Sequence, residues 1–125
     1  MKGLTLDAGA LVAFERNDRR TVALLRTAID HEIGLAVPAG VVAQVWRDGR
    51  AQARLARLLG APAVEVEALD DVRARRAGQL CGVTGTADVV DASVVLCARA
   101  RDHAVVTSDA RDLRRLDRSL RLLTV

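Results

Sequence analysis

The sequence predicts a single α/β domain, spanning residues 1–125, that is built on a parallel β-sheet. Short apolar segments of strand length alternate with longer segments of helical periodicity along the whole chain. Hydrophobic residues make up 50% of the 125 residues, which is enough for a chain of this length to bury a core. Because strands that alternate with helices usually pair in parallel, helices should cover both faces of the sheet.

Five short segments have the composition of strands. The predicted strands are Leu4–Leu6, Ile33–Val37, Val64–Ala68, Ala104–Thr107 and Leu120–Val125. The third alternates valine with glutamate, with Val64 and Val66 as its apolar positions, which predicts an edge strand with one face nearer to solvent. Aromatic residues make up only 2% of the chain, so the core around these strands should be aliphatic.

Seven intervening segments have the periodicity of helices. The predicted helices are Ala8–Arg16, Thr21–Ile29, Pro38 to about Trp46, Arg50–Leu59, Asp70–Leu80, Asp88–Arg101 and Ala110–Leu116. Asn17 or Asp18 should cap the second helix, and Pro38 should lie in the first turn of the third. Residues Gly82–Thr86 should form a loop, and Trp46 should lie in the core or at a dimer interface.

The basic residues hint at nucleic acid without proving it. The formal net charge is +3, and Lys2 is the only lysine among 19 basic residues. The planar guanidinium of the remaining arginines suits phosphate. Codon bias in a GC-rich genome explains the same composition, and it is the simpler account of the composition taken alone. The run Arg73, Arg75 and Arg76 is interpreted as a solvated helix face, with RNA contact as the alternative.

Several classes of protein are disfavoured by missing patterns. Cys81 and Cys97 do not form a C-x-x-C pair, so we expect buried free thiols in a reducing cytoplasm and no zinc site. His31 and His103 have no partner at metal-ligand spacing and should be surface or loop residues. The sequence has no P-loop, no G-x-G-x-x-G, no signal peptide and no apolar stretch long enough to span a membrane.

Aspartates follow two of the predicted strands. Asp7 comes directly after the first strand, and Asp109 follows the fourth. Parallel strands end at the same edge of a sheet, where ligands usually bind. Asp88 and Asp91 open the longest helix and share one of its faces because they are three residues apart. If that helix begins at the same edge, four carboxylates converge there.

Converging carboxylates require a counter-ion. Two of them ~5 Å apart at an effective dielectric constant of ~20 repel each other by roughly 3 kcal/mol. Hard oxygen donors without cysteine or histidine partners favour Mg²⁺ or Mn²⁺ over zinc. Such an ion can activate a water molecule and stabilise charge on a phosphate, which is the chemistry of phosphodiester hydrolysis without a covalent enzyme intermediate.

Helix capping is the competing interpretation of the acidic pairs. Asp88 with Asp91, and Ser108 or Asp109 with Asp112, have the spacing of an N-cap and an acid in the first turn. Each pair taken alone is more often a cap than a catalytic pair. Asp7 is harder to explain this way, because a charge directly after a buried strand costs free energy unless it is paired. The three elements together favour a metal site.

The runs LTLDAGALVAFE and TADVVDASVVLCARARDHAVVTSDARDLRRL resemble PIN-domain proteins, in particular the VapC-type toxins of bacterial toxin–antitoxin pairs. The resemblance extends over the whole chain. It implies a three-layer α/β/α fold with a central parallel sheet of four to five strands. It also implies an Mg²⁺- or Mn²⁺-dependent endoribonuclease that hydrolyses RNA with a metal-activated water. A homodimer and a VapB-like antitoxin that covers the acidic site are further implications.

The resemblance also implies roles for individual residues. Asp7, Asp91 and Asp109 match the acids that bind the metal and act in catalysis, and Asp88 matches a further acid found in some members. Thr107 and Ser108 stand where the family often has a hydroxyl beside the metal. The family usually carries a glutamate on the helix after the second strand, and Gln44 stands there instead. Glutamine can bind a metal through its carbonyl oxygen, but it brings no charge.

Two alternative functions follow from these residues. The first is a PIN-like module with weak or no catalytic activity that acts by binding a partner protein, and Gln44 is the feature that supports it. The second is a phospho-accepting receiver or a haloacid-dehalogenase-like phosphatase. It is disfavoured because both need a lysine deep in the chain, whereas Lys2 is the only lysine and Asp7-Ala8-Gly9 lacks the D-x-D of such phosphatases.

Overall fold

A five-stranded parallel sheet forms the centre of the molecule. The structure is a computed structural model that describes residues 2–125. Its strands are β1 (Gly3–Leu6), β2 (Gly34–Pro38), β3 (Val64–Glu67), β4 (His103–Thr107) and β5 (Leu122–Thr124). They lie in the order β3-β2-β1-β4-β5, and every neighbouring pair is parallel. The predicted parallel sheet and the edge position of β3 are confirmed.

Helices cover both faces of this sheet. They are α1 (Ala8–Glu15), α2 (Arg19–Asp30), α3 (Ala39–Val45), α4 (Ala53–Leu59), α5 (Asp71–Thr84), α6 (Val89–Arg101) and α7 (Ala110–Leu116). Helix α1 packs with α2 and α4 in one layer, whereas α6 packs with α5 and crosses β2, β1 and β4 in the other. The predicted three-layer α/β/α architecture is therefore confirmed.

The strand order reverses its direction at β1. The chain runs outward from β1 to β2 and β3, and then crosses back to add β4 and β5 on the other side. β1 and β4 are in register, with Leu6 opposite Val106, so their carboxyl ends lie side by side. A crevice at such a switch point is where open α/β sheets bind ligands. Asp7 and the Ser108–Asp109 turn leave the sheet at this crevice.

The core is aliphatic, as predicted. Its largest fully buried side chains are Leu6, Leu11, Leu25, Leu35, Leu55, Leu113, Val37, Val41, Val94, Val95, Val105 and Val106. Burial of each leucine or valine contributes roughly 1.5–3 kcal/mol relative to exposure. Cys81 and Cys97 are free and buried, as predicted. Burial raises the pKa of the Cys97 thiol to about 12, so little of it is thiolate near neutral pH.

The second half of strand β3 departs from the predicted alternation, whereas Val64 packs against the core and Glu65 is exposed as predicted. Val66 is 44% exposed, whereas Glu67 is only 8% exposed. The Glu67 carboxylate contacts the guanidinium of Arg101 on α6, and it lies 3.2 Å from Arg73 on α5. Two arginines therefore compensate a buried carboxylate, and this compensation could not be foreseen from hydrophobic alternation.

Three helix boundaries also differ from the prediction. Helix α5 continues through Gly82 to Thr84 and ends at Gly85, whose φ of 73° lies in the left-handed region. Pro38 is the last residue of β2 and the N-cap of α3, so it is not in the first turn of that helix. Helix α4 begins only at Ala53, because residues 48–52 form turns.

The structure also tests three predictions about single residues. Asp18 caps α2 by accepting a hydrogen bond from the Thr21 amide at 3.0 Å. Trp46 follows α3 and is 37% exposed, so it is not a core residue. His103 is wrongly predicted as a surface or loop residue: it lies in β4, and its Nδ1 is 3.1 Å from the Thr5 hydroxyl.

Within residues 2–125 no single helix has the length and apolar composition needed to cross a membrane. Helices α5 and α6 would satisfy both criteria only if they were taken together, and they are bent by 108° relative to each other.

Candidate metal centre

Asp7 is a buried carboxylate at the carboxyl end of the central strand. It is 6% exposed, and its Oδ1 accepts a hydrogen bond from the Ala10 amide at 2.9 Å, which caps α1. Burial raises the pKa of Asp7 above its usual value, and hydrogen bonds from Thr107 and the Ala10 amide oppose that rise. The negative charge of Asp109 raises the pKa further, so these two strand-end aspartates interact electrostatically.

Thr107 connects the two strand ends. It is fully buried as the last residue of β4, and its hydroxyl is close enough to the Asp7 carboxylate to lower the pKa of that group. The same oxygen accepts a hydrogen bond from the Asp109 amide at 2.8 Å. The Thr107 side chain therefore holds Asp7 and the start of α7 in a fixed relation, although Asp109 itself is exposed. Thr107 therefore lies between the two strand-end aspartates.

Ser108 packs directly against the first turn of α1. A Cβ atom built on Gly9 would lie 1.9 Å from the Ser108 Oγ and 2.9 Å from its Cβ. Only glycine can occupy position 9 without displacing this turn, because a Cβ cannot approach other heavy atoms so closely. The close approach brings the turn that carries Asp109 next to the helix capped by Asp7.

Asp88 and Asp91 occupy the beginning of α6. Asp88 is the N-cap, and its Oδ1 accepts a hydrogen bond from the Asp91 amide at 2.9 Å. Burial raises the pKa of Asp91 from 3.8 to about 7, and the charges of Asp88 and Asp7 raise it in the same direction. The interaction with Asp7 shows that α6 begins at the carboxyl edge of the sheet, where the sequence analysis expected it.

Asp112 is a fifth carboxylate at this edge, and the sequence analysis treated it only as a capping residue. It lies in the first turn of α7, where its amide is 3.5 Å from the Oδ1 of Asp109. A hydrogen bond with Asp109 and the negative charges of Asp109 and Asp88 raise the pKa of Asp112. The spacing Asp109-x-x-Asp112 repeats Asp88-x-x-Asp91, and this repetition is the signal that could have identified it.

We refer to these five side chains as the acidic cluster: Asp7, Asp88, Asp91, Asp109 and Asp112. Three of them are N-caps, of α1, α6 and α7. The capping interpretation and the site interpretation of the sequence are therefore compatible, since each cap uses one carboxylate oxygen and leaves the other available. Partial positive charge at the ends of α1 and α6 also favours carboxylates there, which lowers the cost of gathering them.

Gln44 is not brought into the acidic cluster. It is exposed on α3, and no hydrogen bond or charge interaction described for residues 2–125 involves its side chain. Helix α3 itself is close to the site, since a Cβ atom on Gly40 would lie 3.4 Å from the Val90 side chain of α6. The structure therefore places Gln44 on a neighbouring helix without giving it a contact to the aspartates.

A cavity of about 240 Å³ opens beside the acidic cluster. Asp88, Asp91 and Asp112 line it, together with Arg115 of α7 and the turn that contains Thr86. The Thr86 Oγ1 is buried, and it has no hydrogen-bond partner within residues 2–125. The cavity therefore combines negative charge, one arginine and one unsatisfied hydroxyl.

The donors of the cluster suit a divalent cation with a preference for oxygen. All five are carboxylates, and burial together with the negative charges of Asp88 and Asp7 raises the pKa of Asp91. As the side chains stand, no group of three His, Cys, Asp or Glu residues within residues 2–125 is arranged to hold a metal ion. The capping hydrogen bonds hold these carboxylates against their own helices, so side-chain rotation would have to accompany metal binding.

The parallel sheet, the helices on both of its faces and the aspartates at the switch point define the class of this protein as a three-layer α/β domain with an acidic cluster at the carboxyl edge of its sheet. The chain belongs to the PIN domain family, whose model matches residues 4–119. PIN domains are generally nucleases, and they generally use divalent metals. No curated protein sequence matches the chain.

Solved structures share this fold at low sequence identity. VapBC2 from Rickettsia felis, bound to a DNA fragment from its promoter, aligns with a TM-score of 0.73 and 16% identity over 98% of both chains. A toxin–antitoxin complex from Klebsiella pneumoniae gives 0.70 and 13%, covering 98% of this chain and 97% of that one. PAE2754 from Pyrobaculum aerophilum gives 0.66 and 20%, covering 96% and 90%. These likenesses establish the fold of the chain.

Proposed function

We propose that this PIN domain is an Mg²⁺- or Mn²⁺-dependent endoribonuclease, a VapC-type toxin that hydrolyses RNA phosphodiester bonds. The observation that carries the proposal is the gathering of five aspartates at the switch point, with the pKa of Asp91 raised to about 7. A divalent ion is the simplest partner that relieves this repulsion. Bound there, it would supply an activated water and stabilise negative charge on a phosphate.

Individual residues have separate roles in the proposed reaction. Asp7, Asp91 and Asp109 are the proposed metal ligands and catalytic residues, and Asp88 assists them at the start of α6. Thr107 positions Asp109 by accepting a hydrogen bond from its amide, and its hydroxyl lowers the pKa of the neighbouring Asp7. Ser108 sits on the turn that carries Asp109 and provides a second hydroxyl near the site. Asp112 belongs to the same set because its charge interacts with both Asp109 and Asp88.

A partner protein is part of the proposal. The aligned structures from Rickettsia felis and Klebsiella pneumoniae are toxin–antitoxin complexes, which supports a VapB-like antitoxin as the partner of this chain. A homodimer in the cytoplasm completes the proposal. Exposed apolar residues such as Trp46 and Val89 are available for association, and the buried free thiols suit a reducing compartment.

RNA cleavage assays test the proposed activity. Wild-type protein should cleave a mixed RNA pool when Mn²⁺ or Mg²⁺ is added, and EDTA should stop the reaction. Asp91→Asn should reduce cleavage by about 10²-fold or more, because it removes a charged group at the metal. Asp71→Asn is the matched control, since this aspartate is exposed and pairs only with Arg75, and it should cleave as wild type does. Equal cleavage by all three proteins would contradict the site assignment.

The alternative is a PIN-like binding module with weak or no activity. The exposed Gln44, which stands where the family usually has a glutamate, favours this alternative. Gln44→Glu separates the two functions. If the missing charge limits metal binding, this variant should bind Mn²⁺ more tightly in calorimetry and cleave faster than wild type. If both proteins are inactive on a broad range of RNAs and bind no Mn²⁺, the binding module is the better description.

A further inference from the structure

We infer that Arg115 and the Thr86 hydroxyl form the phosphate-binding part of this site, and that a phosphate of the nucleic-acid backbone binds to them in the cavity beside the acidic cluster. This inference rests on the proposed function and names the part of the site that receives the substrate. Neither residue is among those that the sequence analysis selected.

The cavity beside the acidic cluster is lined by acidic and basic side chains together. Asp88, Asp91 and Asp112 contribute negative charge to it. Of the residues that line the cavity, Arg115 is the only cationic one, and it follows Asp112 by three residues on α7. A site made only of carboxylates repels a phosphodiester, so a substrate phosphate needs a cationic contact. Arg115 lines the same cavity and provides that contact.

Arg115 retains its hydrogen-bonding capacity for a ligand. It is exposed on α7, one turn after Asp112, and no ion pair or hydrogen bond described for residues 2–125 occupies its guanidinium. Its charge partly offsets the rise in the pKa of Asp112 that Asp109 causes, which shows that Arg115 is close to the acidic cluster. The planar guanidinium donates two parallel hydrogen bonds to phosphate oxygens, a geometry that an ammonium group cannot match.

Thr86 provides an independent indication of a ligand. Its Oγ1 is buried and lacks a hydrogen-bond partner within residues 2–125, although the side chain lines the cavity. A buried hydroxyl without a partner costs free energy, so a water molecule or a ligand in the cavity should satisfy it. The backbone holds it in place: the Thr86 amide donates to the Cys81 carbonyl at 3.1 Å, in the turn that Gly85 makes with φ 73°. A phosphate oxygen in the cavity would accept its hydrogen.

A purely structural role for Arg115 is the competing explanation. In that case its guanidinium only neutralises Asp112, and its removal would lower stability without changing RNA affinity. A measurement of RNA affinity therefore distinguishes the two roles, because only the loss of a phosphate contact weakens binding.

Fluorescence anisotropy with a labelled single-stranded RNA, in Ca²⁺ or EDTA and at two salt concentrations, tests the inference without requiring cleavage. The variants are Arg115→Ala, Arg115→Lys and Thr86→Val. Arg114→Ala is the matched control, because this neighbour on α7 is equally exposed and carries the same charge. We expect Arg115→Ala to weaken RNA binding by about tenfold or more. The slope of the logarithm of the affinity against the logarithm of the salt concentration should fall by about one, which corresponds to the loss of one phosphate contact. Arg114→Ala should change the affinity by less than about threefold.

Cleavage kinetics and thermal melting complete the test. Thr86→Val should raise KM by a few-fold while its Tm stays at or above that of wild type, since it removes an unsatisfied buried hydroxyl. Arg115→Lys should recover only part of the affinity, because it keeps the charge and loses the two-pronged contact. Equal weakening by Arg114→Ala and Arg115→Ala, or wild-type affinity in both, would overturn the inference while leaving the nuclease intact. A wild-type protein that neither binds nor cleaves RNA would refute the proposed function itself.

Discussion

Gly9 shows how a single small residue determines the geometry of the site. It lies in the first turn of α1, and the Ser108 side chain fills the space that a Cβ would need. The sequence run Asp7-Ala8-Gly9 gives no hint of this contact, because Ser108 is distant along the chain. The contact joins the two strand ends that carry Asp7 and Asp109, so a change at position 9 should affect the site as well as stability.

Gly9→Ala should destabilise the protein by about 1 to 3 kcal/mol, because the new methyl group forces the Ser108 turn outward. Denaturant unfolding measures this change, and calorimetry should show weaker Mn²⁺ binding. Gly78→Ala is the matched control in α5. No atom lies within 4 Å of the position that its new methyl group would take, so alanine should stabilise the helix by about 0.5 to 1 kcal/mol. If the free energy of unfolding of Gly9→Ala lies within about 0.5 kcal/mol of the wild-type value, which is on the order of the assay error, the Ser108 turn moves aside at little cost and the expectation is wrong.

Folding raises the pKa of Asp91 at the carboxyl edge of the sheet. Its pKa of about 7 lies above the value of 3.8 that an unperturbed aspartate has. A folded-state pKa that is raised in this way means that the folded protein holds a proton that the unfolded chain has released. The associated stability is fully present below pH 3.8 and is lost as the pH rises through about 7.

At the element scale, helix α6 is fixed at both of its ends. Its first turn carries Asp88 and Asp91, and its last residue, Arg101, contacts Glu65 and Glu67 of the edge strand β3. The helix crosses β2, β1 and β4 between these ends. Because an α-helix is stiff, the anchor at its C-terminal end helps to determine where the acidic first turn lies relative to β1.

Arg101→Leu should destabilise the protein by about 2 to 3 kcal/mol, because it leaves Glu67 buried with Arg73 as its remaining partner. Arg75→Ala is the comparison, since its pair with Asp71 is 77% exposed on both sides and should contribute less than about 0.5 kcal/mol. Combining Arg101→Leu with Glu67→Leu should restore most of the lost free energy of unfolding, as measured in urea. A double variant no more stable than Arg101→Leu alone would argue against an uncompensated carboxylate as the cause.

Across the whole molecule, negative charge is concentrated at one edge of the sheet although the net charge is positive. The net charge is +3, yet the carboxyl edge at the switch point gathers five aspartates. In the metal-free protein the aspartates at this edge therefore repel one another. A divalent ion that binds only the folded state should raise the free energy of unfolding by about 2.7 kcal/mol when the ion concentration is a hundred times the Kd. Protons and the ion compete for the same carboxylates, so metal binding should depend on pH.

Thermal melting over pH 4 to 8, a range on either side of the Asp91 pKa of about 7, tests this linkage. In EDTA, wild type should lose stability relative to Asp91→Asn as the pH rises, by about 1 kcal/mol once solvent screening is considered. Addition of Mn²⁺ should raise the Tm of wild type more at the alkaline end than at the acidic end, and it should change the Tm of Asp91→Asn little. A Mn²⁺ effect of the same size at both ends would mean that Asp91 does not bind the ion.

The order and the approximate bounds of the strands and helices follow from the amino-acid sequence, because hydrophobic periodicity and caps act over a few residues. The sequence also predicts that Asp7 and Asp109 leave the sheet at one edge, since all strands are parallel. By contrast, the shared cavity of Asp112, Arg115 and Thr86, and the burial of Glu67, became visible in the folded structure. Those outcomes depend on how distant helices pack across the sheet, and no local spacing in the sequence encodes that packing.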